Sequence, residues 1–181
     1  MIKHSLCDEK VKFFVIKHHN YSFMNNKILK EIEKVPFTRD VKNMCRDSDG
    51  EIRVCGDSNV KALQTTGAIE SKALSLLRQW ICDTTNKIAQ SFDFKILSYW
   101  VARYNKGDYT LSHAHIPAPF AFVYFLKSPI GSSPLVFSTS DRNIEPEEGN
   151  LIIFPGNLNH HVPKNECDGR IVFSGNLFPI Y

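Results

Sequence analysis

The chain has 181 residues, room for one domain with a sizeable core and too little for two of ordinary size. A hydrophobic share of 43% and a charged share of 23% belong to a globular chain and argue against disorder. With 22 Lys and Arg against 19 Asp and Glu, the net charge of +3 is too weak to mark a nucleic-acid partner. No apolar run reaches the roughly 18 residues a membrane helix needs. The N-terminal MIKHSLCDEKVK lacks the apolar stretch of a secretory signal, so a cytoplasmic location is expected. Five cysteines, at 7, 45, 55, 82 and 167, are odd in number, widely spaced and free of any CxxC. That pattern predicts reduced thiols, with neither a disulfide framework nor a cysteine zinc site. Pairing of Cys45 with Cys55 across a polar loop is the minor alternative.

Residues 11–17, VKFFVIK, read as a short strand of bulky apolar residues. Ser22 is placed to cap a helix whose apolar positions Met24, Ile28, Ile32 and Val35 recur in steps of four, four and three. Pro36 stops it. Residues 38–60 are polar, with DSDG and CGDS turn signals, and predict a long loop or a hairpin. A second helix is expected from Ile69 to Ser91, with Leu74, Leu77, Ile81 and Ile88 as its buried stripe and Trp80 widening it. From residue 94 the pattern changes to period two. Segments 95–104, 120–127, 134–138, 150–154 and 170–178 are strand candidates, separated by turn-rich pieces such as NKGD and KNECDG. Two helices followed by a strand-only half predict an α+β domain, an antiparallel sandwich or barrel backed by helices.

Four of the seven histidines fall in two pairs within the β-rich half: His113 with His115, and His160 with His161. Spacing of i, i+2 on a strand puts His113 and His115 on one face. His160 follows the strand NLIIF and a PGN turn. A nitrogen from that neighbouring strand would complete an open-sided, three-point site of the kind non-haem iron enzymes use. His4, His18 and His19 are isolated and read as structural or surface residues. His161, beside His160 on an extended chain, faces away from it.

These residues carry a resemblance. Tyr104-x-x-Gly107-x5-His113-x-His115, then Gly149-x4-Phe154-Pro155-x4-His160, then Arg170-x3-Ser174, resembles the iron(II)/2-oxoglutarate dioxygenases of the prolyl 4-hydroxylase branch. The likeness is strongest to small bacterial and phage members. It covers residues 95–178 well, adding Trp100, Tyr124, Val162, Ile171 and Asn176 in order, and residues 11–92 in outline. It implies one domain over residues 1–181. A double-stranded β-helix, the jelly-roll or cupin-like barrel, would fill residues 93–181, and residues 1–92 would be helical support and lid. Implied with it are Fe(II) on His113, His115 and His160, with 2-oxoglutarate as cosubstrate and ascorbate as an optional reductant. His115 stands where most relatives have Asp. A carboxylate brings negative charge to the metal and an imidazole does not, so either His115 ligates or a different third ligand serves.

On the last strand Arg170, Val172, Ser174 and Asn176 share one face, while Ile171 and Phe173 share the other. An arginine inside a barrel needs an anion, and a guanidinium forks onto a carboxylate with two charge-assisted bonds. The resemblance assigns Arg170 and Ser174 to the far carboxylate of 2-oxoglutarate. Tyr104, Tyr124 and Asn176 are further pocket candidates. The relatives' tyrosine on the YYL-like strand aligns with Phe125, beside Tyr124, so either residue could face the cosubstrate. The reaction so implied is hydroxylation of a C–H bond, in a protein side chain or a small molecule, with release of succinate and CO2. A three-histidine cupin dioxygenase is a competing reading, weakened by the lack of a glutamate just past His115. A non-catalytic jelly-roll binding module is another. No membrane or nucleic-acid partner is expected, and nothing in the sequence marks an oligomeric state.

Overall fold

The computed structural model describes residues 3–6, 11–46, 48–90 and 92–180. The chain runs β1 (Lys3–Leu6), β2 (Lys12–Lys17), α1 (Tyr21–Ile32), β3 (Phe37–Thr38), β4 (Lys42–Arg46), β5 (Ile52–Asp57), β6 (Val60–Lys61), β7 (Leu63–Thr65) and α2 (Lys72–Ala89). Then follow β8 (Asp93–Tyr104), β9 (Tyr109–His113), β10 (Phe120–Lys127), β11 (Leu135–Phe137), β12 (Arg142–Ile144), β13 (Asn150–Pro155), β14 (His160–Val162) and β15 (Arg170–Ile180). An eight-stranded sheet has the order β1-β2-β13-β10-β15-β8-β7-β3, and a five-stranded sheet the order β12-β11-β14-β9-β6. This is the double-stranded β-helix with two helices laid on one side. No described helix is long and apolar enough to cross a membrane.

Strand alternation divides the interior into two cores. On β10, Ala121, Val123 and Phe125 point between the sheets, whereas Phe122, Tyr124 and Leu126 point to the helices. β13 repeats this with Ile152 and Phe154 inside and Leu151 and Ile153 outside. The helix-side core is closed by Ile28 and Ile32 of α1 and by Leu74, Leu77 and Ile81 of α2.

Helix boundaries differ from expectation for local reasons. α1 begins one residue before Ser22, with Asn20 in the cap position. α2 begins three residues after Ile69, because the Ser71 hydroxyl accepts the Leu74 N–H at 2.9 Å. Glu31 of α1 then accepts from both Ser71 Oγ and Ala73 N. That contact ties the two helices together and lowers the Glu31 pKa. Within segment 38–60, β4 and β5 pair as a hairpin with their own two-stranded sheet, an arm outside both large sheets, while Thr38 and Val60 belong to β3 and β6.

Two expectations are corrected. Cys55 is disulfide-bonded, because folding the arm into a hairpin turns a polar stretch of sequence into paired strands. Cys82 and Cys167 are free; the side chain of Cys45 and all of Cys7 lie outside the described residues. Tyr124 is not a pocket residue. It sits on the helix side of β10, and its hydroxyl donates to Asn25 Oδ1 at 2.9 Å. Asn25 Nδ2 in turn donates to the Leu126 carbonyl at 2.9 Å, pinning α1 to the sheet. Burial pushes the Tyr124 pKa up. Tyr124→Phe leaves the buried Asn25 oxygen without a donor. It should cost about 1–3 kcal/mol of stability, read by urea denaturation, and leave 2-oxoglutarate binding unchanged.

Candidate metal and anion site

The two sheets bring three histidines together at one end of the barrel. His113 closes β9, and its register partner on the adjacent strand β14 is His160. Directly opposed residues share a face, so these two rings meet, with centroids 4.4 Å apart. His115 lies past the end of β9, in the loop to β10, rather than on the strand as the spacing predicts. The loop is held by backbone bonds: His115 N donates to Gly156 O at 2.6 Å and Ala118 N to His115 O at 2.7 Å. His115 Nε2 then sits 3.3 Å from His160 Nε2. One ring nitrogen from each histidine falls within 4.8 Å of the other two.

The ring states suit metal binding. His113 Nδ1–H donates to the Leu111 carbonyl at 2.8 Å, and His160 Nδ1–H to the Leu158 carbonyl at 2.9 Å. Each bond fixes a tautomer that leaves the Nε2 lone pair free. Burial disfavours the charged imidazolium. It lowers the pKa of His113, takes His115 to about 4 and His160 to about 3. The three rings are therefore neutral at pH 7. His161 faces away, hydrogen-bonded with Ser138 Oγ at 3.0 Å.

Arg170 is the first residue of β15 and is fully buried, at 0% exposure. Its Nε–H donates to the Ser133 carbonyl at 3.1 Å. The guanidinium stacks 4.6 Å over Tyr104 and 5.5 Å from Phe125. Nη1 and Nη2 are buried without any partner. No carboxylate pairs with this residue among the described residues. Burial lowers the Arg170 pKa, but a guanidinium stays charged. A narrow cavity joins it to the histidines, lined also by Trp100, Tyr104, Thr110 and Ser174. Phe125, not Tyr124, borders this charge. Asn176 faces the same side further out, donating to Ser98 Oγ at 2.9 Å and lining an outer groove beside His115.

Two contributors escape sequence reasoning. Thr110 Oγ1 lies 2.7 Å from the Tyr104 hydroxyl and lines the cavity with His113. Simple alternation would put residues 110 and 113 on opposite faces; an extra residue between the pairs His160–His113 and Val162–Thr110 brings both inward. Ser133 contributes a backbone carbonyl, which no sequence pattern announces. Gly156 is also required. A Cβ there would sit 1.9 Å from the Ala118 carbonyl oxygen, inside the loop that carries His115. Gly156→Ala should shift that loop and weaken divalent metal binding about tenfold, measured by calorimetry, with far-UV circular dichroism unchanged.

In sequence, no known family and no curated protein matches the chain. Solved structures do. The viral collagen prolyl hydroxylase of Paramecium bursaria Chlorella virus-1, in complex with 2-oxoglutarate, is 17% identical with a TM-score of 0.67, over 97% of this chain and 100% of that one. A Pseudomonas putida prolyl-4-hydroxylase is 14% identical, with a TM-score of 0.63 over 93% of both chains. HygX from Streptomyces hygroscopicus, with nickel, 2-oxoglutarate and hygromycin B bound, is 10% identical, with a TM-score of 0.65 over 93% of this chain and 83% of that one. At these identities the likeness speaks for architecture, and in architecture this three-histidine protein folds as the 2-oxoglutarate–iron(II) oxygenases do.

Proposed function

We propose that this protein is an iron(II)- and 2-oxoglutarate-dependent oxygenase that hydroxylates a C–H bond of its substrate. One observation carries the reading. A fully buried guanidinium with two unpartnered nitrogens opens onto the same cavity as three clustered imidazoles. A buried charge without a partner costs several kcal/mol, and a dianion spanning the cavity from Arg170 to the histidines removes that cost. The donor set fits ferrous iron, which imidazole suits.

His113, His115 and His160 would hold the metal through Nε2, and Arg170 would fork onto the far carboxylate of 2-oxoglutarate. The Tyr104 and Thr110 hydroxyls and Ser174 line the same cavity and offer hydrogen bonds beside the guanidinium. Trp100 and Phe154 flank His115 and His160 and give the rings an apolar border. When bound, iron and 2-oxoglutarate supply the oxidising chemistry, with O2 consumed, succinate and CO2 released and a substrate C–H hydroxylated; the protein supplies geometry and a dry site. No general acid or base is required from the chain. Three histidines also suit a cupin-type dioxygenase, but that reading gives Arg170 no task, and succinate formation separates the two.

Anaerobic titration with Fe(II) and 2-oxoglutarate should develop a visible charge-transfer band. In Arg170→Ala the 2-oxoglutarate affinity should fall by about 2–5 kcal/mol, a factor of roughly 30 to several thousand, with metal affinity nearly unchanged. Equal loss of both would remove Arg170 from its role. Protonation gives a further check. In the unfolded chain the histidines titrate near the ordinary 6.5, whereas folded His115 and His160 titrate at about 4 and about 3. Between those values the unfolded state binds more protons, so stability rises with pH. Metal-free protein should hold full stability above pH 6.5 and lose it progressively as pH falls toward 3, read by thermal melts. His115→Gln with His160→Gln should flatten that profile.

A further inference from the structure

Between β14 and β15 the chain passes through Asn165, which is 2% exposed. All its polar groups are engaged. Oδ1 accepts the Ser133 N–H at 2.9 Å, and Nδ2 donates to the Cys167 carbonyl. The main-chain N–H donates to Asp108 O and the carbonyl accepts from Gly107 N, both at 2.7 Å. Two segments remote in sequence, the turn before β9 and the loop from β10 to β11, are thereby tied to the approach to β15. Asn165 itself does not line the cavity that holds Arg170.

What these contacts hold is the guanidinium. The Ser133 carbonyl takes Arg170 Nε at 3.1 Å, and the guanidinium lies against the Tyr104 ring. Held at both places, the fork cannot turn without moving Ser133, and Ser133 cannot move without stretching its bond to Asn165. The same network denies the fork an acceptor inside the protein. In the segments around Arg170 the carbonyls already accept. Cys167 O takes Asn165 Nδ2, Lys164 O takes Ser133 Oγ at 2.9 Å, Gly131 O takes Glu166 N at 3.2 Å, and Tyr104 O takes Gly169 N at 3.0 Å. A guanidinium free to swing would recover such a bond, because a buried donor left unpaired is costly. Nη1 and Nη2 instead stay without a partner.

Resting on the function proposed above, we infer that Asn165 is a positioning residue of the anion site. By anchoring Ser133 and occupying the Cys167 carbonyl, it keeps the Arg170 fork unpaired and turned toward the far carboxylate of 2-oxoglutarate. It touches neither metal nor cosubstrate and acts through Ser133 and Arg170, so its contribution is preorganisation of a charged donor rather than a contact of its own.

A double-mutant cycle tests this, with 2-oxoglutarate affinity read from the charge-transfer band of the full-length Fe(II)-loaded protein under nitrogen. Asn165→Ala should weaken 2-oxoglutarate about tenfold when Arg170 is present. In the Arg170→Ala background the same change should move it by less than about twofold, because the residue through which Asn165 acts is gone. Fe(II) affinity should stay at the unsubstituted value in each variant. Asn165→Ser, too short to reach both partners, should repeat the result. A residue that merely braced the turns would weaken 2-oxoglutarate by the same factor in both backgrounds, and that outcome overturns the inference. So does an unchanged affinity in Asn165→Ala, or loss of Fe(II) binding in both the Ala and Ser variants. An absent band in the unsubstituted protein, or one indifferent to Arg170→Ala, would instead overturn the function on which the inference rests.

Discussion

A guanidinium held away from water with no anion beside it is the constraint around which the barrel is arranged. Arg170 begins β15, which lies between β8 and β10 in the larger sheet. Tyr104 on one neighbour and Phe125 on the other supply ring faces to the charge. The Ser133 carbonyl takes Nε and nothing takes the two terminal nitrogens. Burial of this kind opposes folding unless a ligand shares the charge. On the reading proposed here the protein keeps that cost in the free state and recovers it on binding an anion, which makes the cavity selective for one with the right reach.

The histidine cluster follows a complementary logic. Its three rings are neutral, two of them with tautomers set by backbone carbonyls of their own strands and turns. With three imidazoles and no carboxylate in the cluster, the site carries no negative charge of its own. A divalent ion there, together with Arg170, would make the deep cavity strongly positive. The groove outside has no formal charge at all. Charge thus distinguishes the deep cavity, which holds the buried guanidinium, from the open groove outside it.

Support for this arrangement comes from the far side of the sheet. The side chains of β10, β13 and β15 that point away from the cavity pack against α1 and α2, and buried Asn25 locks α1 to β10 through three hydrogen bonds. Both faces of the large sheet are therefore covered, and the strand bearing Arg170 and Ser174 has little freedom to move. The arm has no such backing: among the described residues its strands pair only with each other, and it borders the open groove beside the histidines.

Much of this was readable in the linear chain because side-chain period follows directly from local backbone geometry. The alternation in RIVFSGN placed Arg170, Val172, Ser174 and Asn176 on one face and Ile171 and Phe173 on the other, as the structure has them. Helical periodicity likewise located α1 and α2, and the order of His113, His115, His160 and Arg170 suggested the barrel. What required tertiary structure was each place where the period breaks or a partner comes from far away. The extra residue in β9 turns Thr110 inward beside His113. Position 124 was ambiguous with 125 until pairing with β13 and β15 fixed which of the two faces α1. Gly156 and Ser133 act through backbone atoms on segments remote from the histidines they serve. Local sequence dictates which residues alternate, but only the packing of one sheet against another and against the helices decides which face becomes the inside.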